Sequence, residues 1–246
     1  GSQVTCVVQR AESSRRAIGD LLLHTIEDGN EEVSSMKTIW NHLQGVDFQQ
    51  RFYDAAGVRT RVIESGNSEK VLIFLHGTGG HAEAYLKNIA THSKHFRVMA
   101  IDMVGHGYTA APDISYDMQC YVDFLLDFLD EVGVEKAYIS GESLGATVAA
   151  WFAIAHPSRV EKIVMNTGML LPPDEDGAVG LRELLERSRK AVGAPSRETI
   201  RQRMRWLMLN EKDVTDEIVE VRFQIYQQPG RAEVIGKIAE QSIGAL

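Results

Sequence analysis

The stretch Ala137-Tyr138-Ile139-Ser140-Gly141-Glu142-Ser143-Leu144-Gly145-Ala146-Thr147-Val148-Ala149-Ala150-Trp151-Phe152-Ala153 decides how this chain is read. A short apolar run ends in a glycine-flanked turn, and a run of small and apolar residues follows. That is a strand, a sharp turn and a helix, with a serine at the apex. A serine hydroxyl is a weak nucleophile unless it is held exposed beside a base and a charge-stabilising pocket. Gly141 and Gly145 let the chain take the strained turn and let the helix pack close to its strand. The residues match the G-x-S-x-G nucleophile elbow in the setting that motif requires, and they nominate Ser143 as nucleophile.

Working outward from the elbow, strands and helices alternate. Val71–Leu75 is a continuous apolar run, as expected for a strand buried on both faces of a sheet. A helix is expected around Ala82–His92, a strand at Arg97–Ile101, a helix over Tyr116–Val132 and a strand at Val160–Met165. Upstream, Phe52-Tyr53 and Val58–Ile63 flank Ala55-Ala56-Gly57 and read as a hairpin. The alternation predicts an α/β fold with a doubly wound, mostly parallel sheet, whose ligands bind beyond the carboxyl ends of the strands. Ser143 and the loop after Leu75 both lie there.

Three regions follow. Residues 1–48 read as an N-terminal helical appendage, with Ile18, Leu21, Leu22 and Ile26 on one helix face and Ile39, Trp40 and Leu43 as a second apolar cluster. Residues 49–169 form the α/β core. Residues 170–246 open with a linker, Leu170 to Gly177, and continue as helices over Leu181–Ala191, Arg197–Leu209, Thr215–Gln227 and Ala232–Ile243. Ser196 and Thr215 are the expected helix starts. A helical lid over the strand ends is their natural place.

The chain has 246 residues, 44% of them hydrophobic, enough for one large core with a small accessory unit. Its formal charge of −8 argues against nucleic acid or an anionic membrane surface as partner. An anionic small-molecule substrate then needs a local cation inside the site. Cys6 and Cys120 have no metal-ligand spacing and suggest no disulfide framework, which points to a reducing cytoplasm. No apolar run approaches the ~20 residues of a membrane span. Gly1-Ser2 reads as a tag remnant. No dinucleotide fingerprint appears, and Gly77-Thr78-Gly79-Gly80 lacks the G-K-[ST] ending of a phosphate loop. No cofactor or metal is expected, and a homo-oligomer is compatible with the sequence.

Strand 71–75 ends in His76-Gly77-Thr78-Gly79-Gly80-His81. Such a turn can aim a backbone N–H, here that of Thr78, at an oxygen turning negative as Ser143 attacks a carbonyl. The second donor is the N–H of Leu144, directly after the nucleophile. With Ile101-Asp102-Met103-Val104-Gly105-His106-Gly107-Tyr108-Thr109, the chain resembles the α/β-hydrolase fold family from about Gln49 onward. Within it, the glycine turn, the elbow and Glu220-Val221-Arg222-Phe223 are similar to the meta-cleavage-product hydrolases, which break carbon–carbon bonds in aromatic degradation. The resemblance implies that Arg222 lies over the nucleophile and contacts the substrate's carboxylate and oxo or enol oxygens. It also implies substrate contacts from Gly77, Gly79 and Phe223.

Serine chemistry needs a histidine to take the proton and an acid to orient it, in the chain order serine, acid, histidine. No histidine follows His156, and Asn166-Thr167-Gly168 offers no carboxylate. Two further strand–helix units, roughly 60 residues, are expected to carry the acid and the base, so the chain reads as a truncated or fragmentary product. Three functions stay open: a serine-dependent hydrolase of a vinylogous diketo acid, a carboxylesterase or lactonase, and a non-catalytic ligand binder.

Overall fold

The computed structural model describes residues 38–170 and 174–243. The helix expected around residues 18–26 lies outside them. The described residues form a six-stranded sheet: β1 (Phe48–Ala55), β2 (Val58–Ser65), β3 (Val71–Leu75), β4 (Arg97–Ile101), β5 (Ala137–Glu142) and β6 (Val160–Asn166). Their order is β1-β2-β4-β3-β5-β6. β3, β4, β5 and β6 run parallel, whereas β1 and β2 form an antiparallel hairpin that joins through β2 antiparallel to β4. The sheet is therefore mixed, parallel where the strand ends build a site.

Every residue of β3 is buried, and alternate side chains serve opposite faces, as the period of two requires. Val71, Ile73 and Leu75 join one core with α2 (Met118–Glu131) and α3 (Leu144–Ala155). Leu72 and Phe74 join the other with Leu86 and Ile89 of α1 (Leu86–His92). Each such side chain contributes about 1.5–3 kcal/mol relative to exposure. Leu43, 3% exposed, belongs to that second core. It sits in a 3₁₀ turn, Ile39–Leu43, which Thr38 caps. The described end of the segment read as an appendage is thus built into the main unit, because its one buried leucine fills the α1 face.

Above the strand ends lie α4 (Glu175–Gly193), α5 (Arg197–Leu207), α6 (Asp216–Tyr226) and α7 (Arg231–Ile238), continued by a π-helical turn, Ala239–Ile243. Ser196 and Thr215 accept hydrogen bonds from the third residue of their helices, as their sequence positions suggest. The expected linker is shorter than its composition indicated. Asp174 accepts from the Gly177 N–H, and Glu175 and Asp176 occupy the first turn, where carboxylates favour a helix start. These helices share their own apolar core of Ile200, Met204, Val214, Val219, Ile225, Tyr226 and Ile235.

Candidate active site

Ser143 sits between β5 and α3 with φ 51° and ψ −118°, a conformation non-glycine residues avoid. Strain of this kind costs about 1–3 kcal/mol and persists only where neighbouring structure enforces it. The enforcement is visible. The Ser143 N–H donates to the Asn166 carbonyl at 2.8 Å, tying the elbow to β6. A side chain on Gly141 would strike the Gly145 backbone, and one on Gly145 would strike the Leu75 backbone. The two motif glycines are therefore needed because helix and strands cross with no room for a Cβ. Leu144 opens α3, so its N–H has no acceptor within the helix.

A cavity of about 80 Å³ lies against the elbow, lined by His76, Gly77, Thr78, Glu142, Ser143, Arg203 and Arg222 among others. Its charges come from two sources. The core supplies Glu142, whose carboxylate is folded against the loop so closely that a Cβ on Gly77 would lie 2.5 Å from Oε2. Burial pushes this carboxyl up, and the Gly77 amide, Arg222 and Arg203 pull the other way. The helices above supply Arg203 and Arg222. Arg203 is 5% exposed; its Nη2 donates to the Thr78 carbonyl at 3.0 Å and its Nε to Ser188 Oγ at 3.3 Å.

His76 also lines the cavity, yet both of its ring nitrogens are engaged. Nδ1 lies 2.8 Å from the Gly77 carbonyl, which requires it to donate, and Nε2 then accepts from the Met103 N–H at 3.1 Å. Burial above all drives its pKa down to about 3. It is a neutral strut that holds the glycine loop, with no lone pair left for the Ser143 proton. The ring of His106 packs edge-on to it at 4.9 Å and is held neutral by the same burial.

The loop after β4 flanks the site through a buried ion network. Asp102, fully buried, accepts from the Ala82 and Tyr108 amides at 2.7 and 2.8 Å and from Arg61 Nη1 at 3.2 Å. Arg61 also meets Glu83, which His81 contacts at 2.7 Å. The Cβ position of Gly107, with φ 52°, falls on the Asp102 carboxylate, so glycine is required there.

A family model for the α/β hydrolase fold matches residues 70–231. The chain belongs to the α/β-hydrolase family. It is 31% identical to the 2-hydroxymuconate semialdehyde hydrolase of Pseudomonas sp. strain CF600, over 72% of this chain and 60% of that protein. It is 30% identical to the 2-hydroxy-6-oxo-2,4-heptadienoate hydrolase of Pseudomonas putida, over 75% of this chain and 65% of that protein. A meta-cleavage product hydrolase of Pseudomonas fluorescens IP01, solved as a mutant complexed with acetates, superposes with a TM-score of 0.67. It is 28% identical, over 79% of this chain and 69% of that one. The chain thus spans less than two thirds of the length of these two curated relatives.

Of the residues nominated from this α/β-hydrolase sequence, Ser143, Gly77, Thr78 and Arg222 meet at the one cavity. Leu144 is buried directly after Ser143 and is not among the residues lining the cavity. Gly79 and Phe223 do not line it. The Gly79 carbonyl accepts from Tyr226 at 3.1 Å, which turns this residue toward the helical layer. The Phe223 ring lies 4.2 Å beneath the Arg197 guanidinium, and its neighbours are those of the helical core. Sequence reasoning missed Glu142 and Arg203. Glu142 could have been found, because the elbow forces the residue before the serine to lie beside it. Arg203 carries no signal, being one of several arginines in Arg197–Arg205 that only tertiary packing distinguishes.

Proposed function

We propose that this chain carries the nucleophile and the anion-holding groups of a serine-dependent hydrolase that cleaves a carbon–carbon bond in a vinylogous diketo acid. One observation carries the reading: Ser143, at a strained apex, and Arg222, from the helices above, line the same small cavity. The guanidinium of Arg222 takes the substrate carboxylate, a pairing its planar fork favours. The distal carbonyl of an extended substrate then meets Ser143. As that carbonyl is attacked, its oxygen becomes an alkoxide, and the Leu144 and Thr78 amides stabilise it at a fixed distance. Water adds across the bond beside that carbonyl, so the acyl fragment leaves as an acid and the remainder as a hydroxy-dienoate. His76 cannot serve as the base, because both of its ring nitrogens are already engaged. The similarity to two dienoate and semialdehyde hydrolases supports this substrate class over simple esters.

The test follows turnover of 2-hydroxy-6-oxo-2,4-heptadienoate by loss of its absorbance, with p-nitrophenyl butyrate in parallel. Ser143→Ala is expected to abolish both reactions. Arg222→Met should lower kcat/KM about 100-fold for the dienoate and less than about threefold for the ester. Turnover of the ester alone would sink the carbon–carbon reading and leave a carboxylesterase.

A further inference from the structure

Three buried polar atoms on residues that line this cavity have no hydrogen-bond partner among the described residues: Thr78 Oγ1, Arg203 Nη1 and Arg222 Nε. Buried polar atoms in folded proteins are nearly always paired, so three orphans at one small space mark a place for an acceptor. All three can donate. A neutral oxygen ligand does not balance them, because two are guanidinium nitrogens, and burying such charge is costly without a counter-ion. Glu142 is the one carboxylate lining the space, and it is folded onto the Gly77 side. One positive charge therefore stays uncompensated even with Glu142 ionised.

Arg203 is the less expected of the two cations. Arg222 is half-buried at the edge of the cavity, whereas Arg203 is almost wholly enclosed. Two of its three nitrogens are spent on holding it still, Nε on Ser188 and Nη2 on the Thr78 carbonyl. The third, Nη1, has no hydrogen-bond partner among the described residues, and Arg203 lines this cavity and also a second one beside Glu183 and Glu186. A guanidinium immobilised in this way loses little further freedom when it takes an acceptor, which is the condition for selective binding.

We propose that Arg203 is a specificity-determining residue that holds a second carboxylate of the ligand, so that this site selects diacids, one carboxylate on Arg222 and the other on Arg203 with the Thr78 hydroxyl. The inference rests on the reading of Arg222 given above and adds a second anionic group to the substrate class. It differs from a purely structural role, in which Arg203 only pins the Thr78 carbonyl and ligand charge at the far end is irrelevant.

The test is calorimetric titration of the 246-residue chain at neutral pH and low salt. The probes are succinate, glutarate and adipate, each against the monoacid of equal length: butyrate, valerate and hexanoate. At least one diacid is expected to bind tenfold or more tightly than its monoacid. Arg203→Met should erase that preference and leave monoacid binding within threefold; Arg222→Met should weaken both. Arg203→Lys, which keeps the charge and loses the fork, should reduce the preference and settles the matter if the methionine variant does not fold. Equal binding of diacids and monoacids by the unaltered chain overturns the proposal, as does a preference that survives both Arg203 variants. Absence of a diacid preference in the unaltered chain, with Ser143-dependent turnover intact, defeats only this inference. Diacid preference without any turnover defeats only the hydrolase reading.

Discussion

The sheet with its loops and the helical layer above it build the site by different means. The core contributes backbone geometry: a serine at φ 51°, the start of α3 directly after it, and glycines where no Cβ fits. The helices contribute long side chains that reach down to the loop carbonyls. Arg203 donates to Thr78, Tyr226 to Gly79, Gln228 to Gly107 and Arg231 to Thr109, at 2.9–3.1 Å. One layer can tolerate almost no added atom, whereas the other makes its contacts through side-chain tips. The difference predicts that core changes act on folding and that helical changes act on fit.

The sharpest way to break the comparison is acid, because the histidines of this chain all precede residue 157 and so lie outside α4–α7. In the unfolded chain His76 and His106 titrate at about 6.5. In the fold, burial foremost pushes His76 down to about 3 and His106 well below its ordinary value. Between these limits the unfolded state binds protons that the folded state refuses, so stability falls as pH falls. At pH 5 the two together should remove up to about 4 kcal/mol relative to pH 7.5. Glu83 acts in the same direction at lower pH. Burial opposes its charge, but His81 and Arg61 overcome that and hold its carboxyl well down, so its contribution is lost only below the usual carboxylate range. Asp102 and Glu142, both shifted up by burial first, act oppositely. Urea midpoints at the two pH values check this, and His106→Gln should flatten the slope.

Next in size is Gly145→Ala. Its Cβ would enter the Leu75 backbone, part of a central strand that cannot retreat, so about 3 kcal/mol or more should be lost. Asp102→Asn comes close behind. It removes the charge facing Arg61 and presents an amide donor to a cluster of donors, costing about 3 kcal/mol. Chemical denaturation measures both, and a midpoint within error of the unaltered protein would mean that the elbow packs more loosely than its contacts indicate.

What could be read in advance divides along the same line. The strands, the elbow and the helix caps were legible because backbone constraints leave local signatures: the apolar run Val71–Leu75, the flanking glycines, and serine or threonine before a helix. The cavity's charges were half legible. Arg222 was found only by resemblance, and Arg203 not at all, since which arginine of α5 points inward depends on how that helix rests on the Thr78 loop. Phe223 was misplaced for the same reason. It neighbours Arg222 in sequence, but a residue one position along a helix is turned about 100° away, here toward Arg197. The antiparallel β1 and β2 were read as a hairpin, but their place at the sheet edge beside β4 depends on pairing far along the chain.

The smallest effect belongs to the helical layer and tests its side of the comparison. Tyr226→Phe removes one hydroxyl that donates to the Gly79 carbonyl at 3.1 Å, while its ring stays packed in the helical core. A net hydrogen bond of this kind is worth about 1 kcal/mol, so the denaturation midpoint should shift slightly. The Gly79 carbonyl lies in the loop that presents Thr78, and a Cβ on Gly79 would lie 2.5 Å from that same hydroxyl. The contact sets how closely the helices sit on the loop. If the helical layer governs fit, the variant should raise KM for the heptadienoate severalfold with kcat little changed, beyond what 1 kcal/mol of folding stability can explain. A change in kcat alone would instead show that the helices take part in aligning the elbow, and the division between layers would fail.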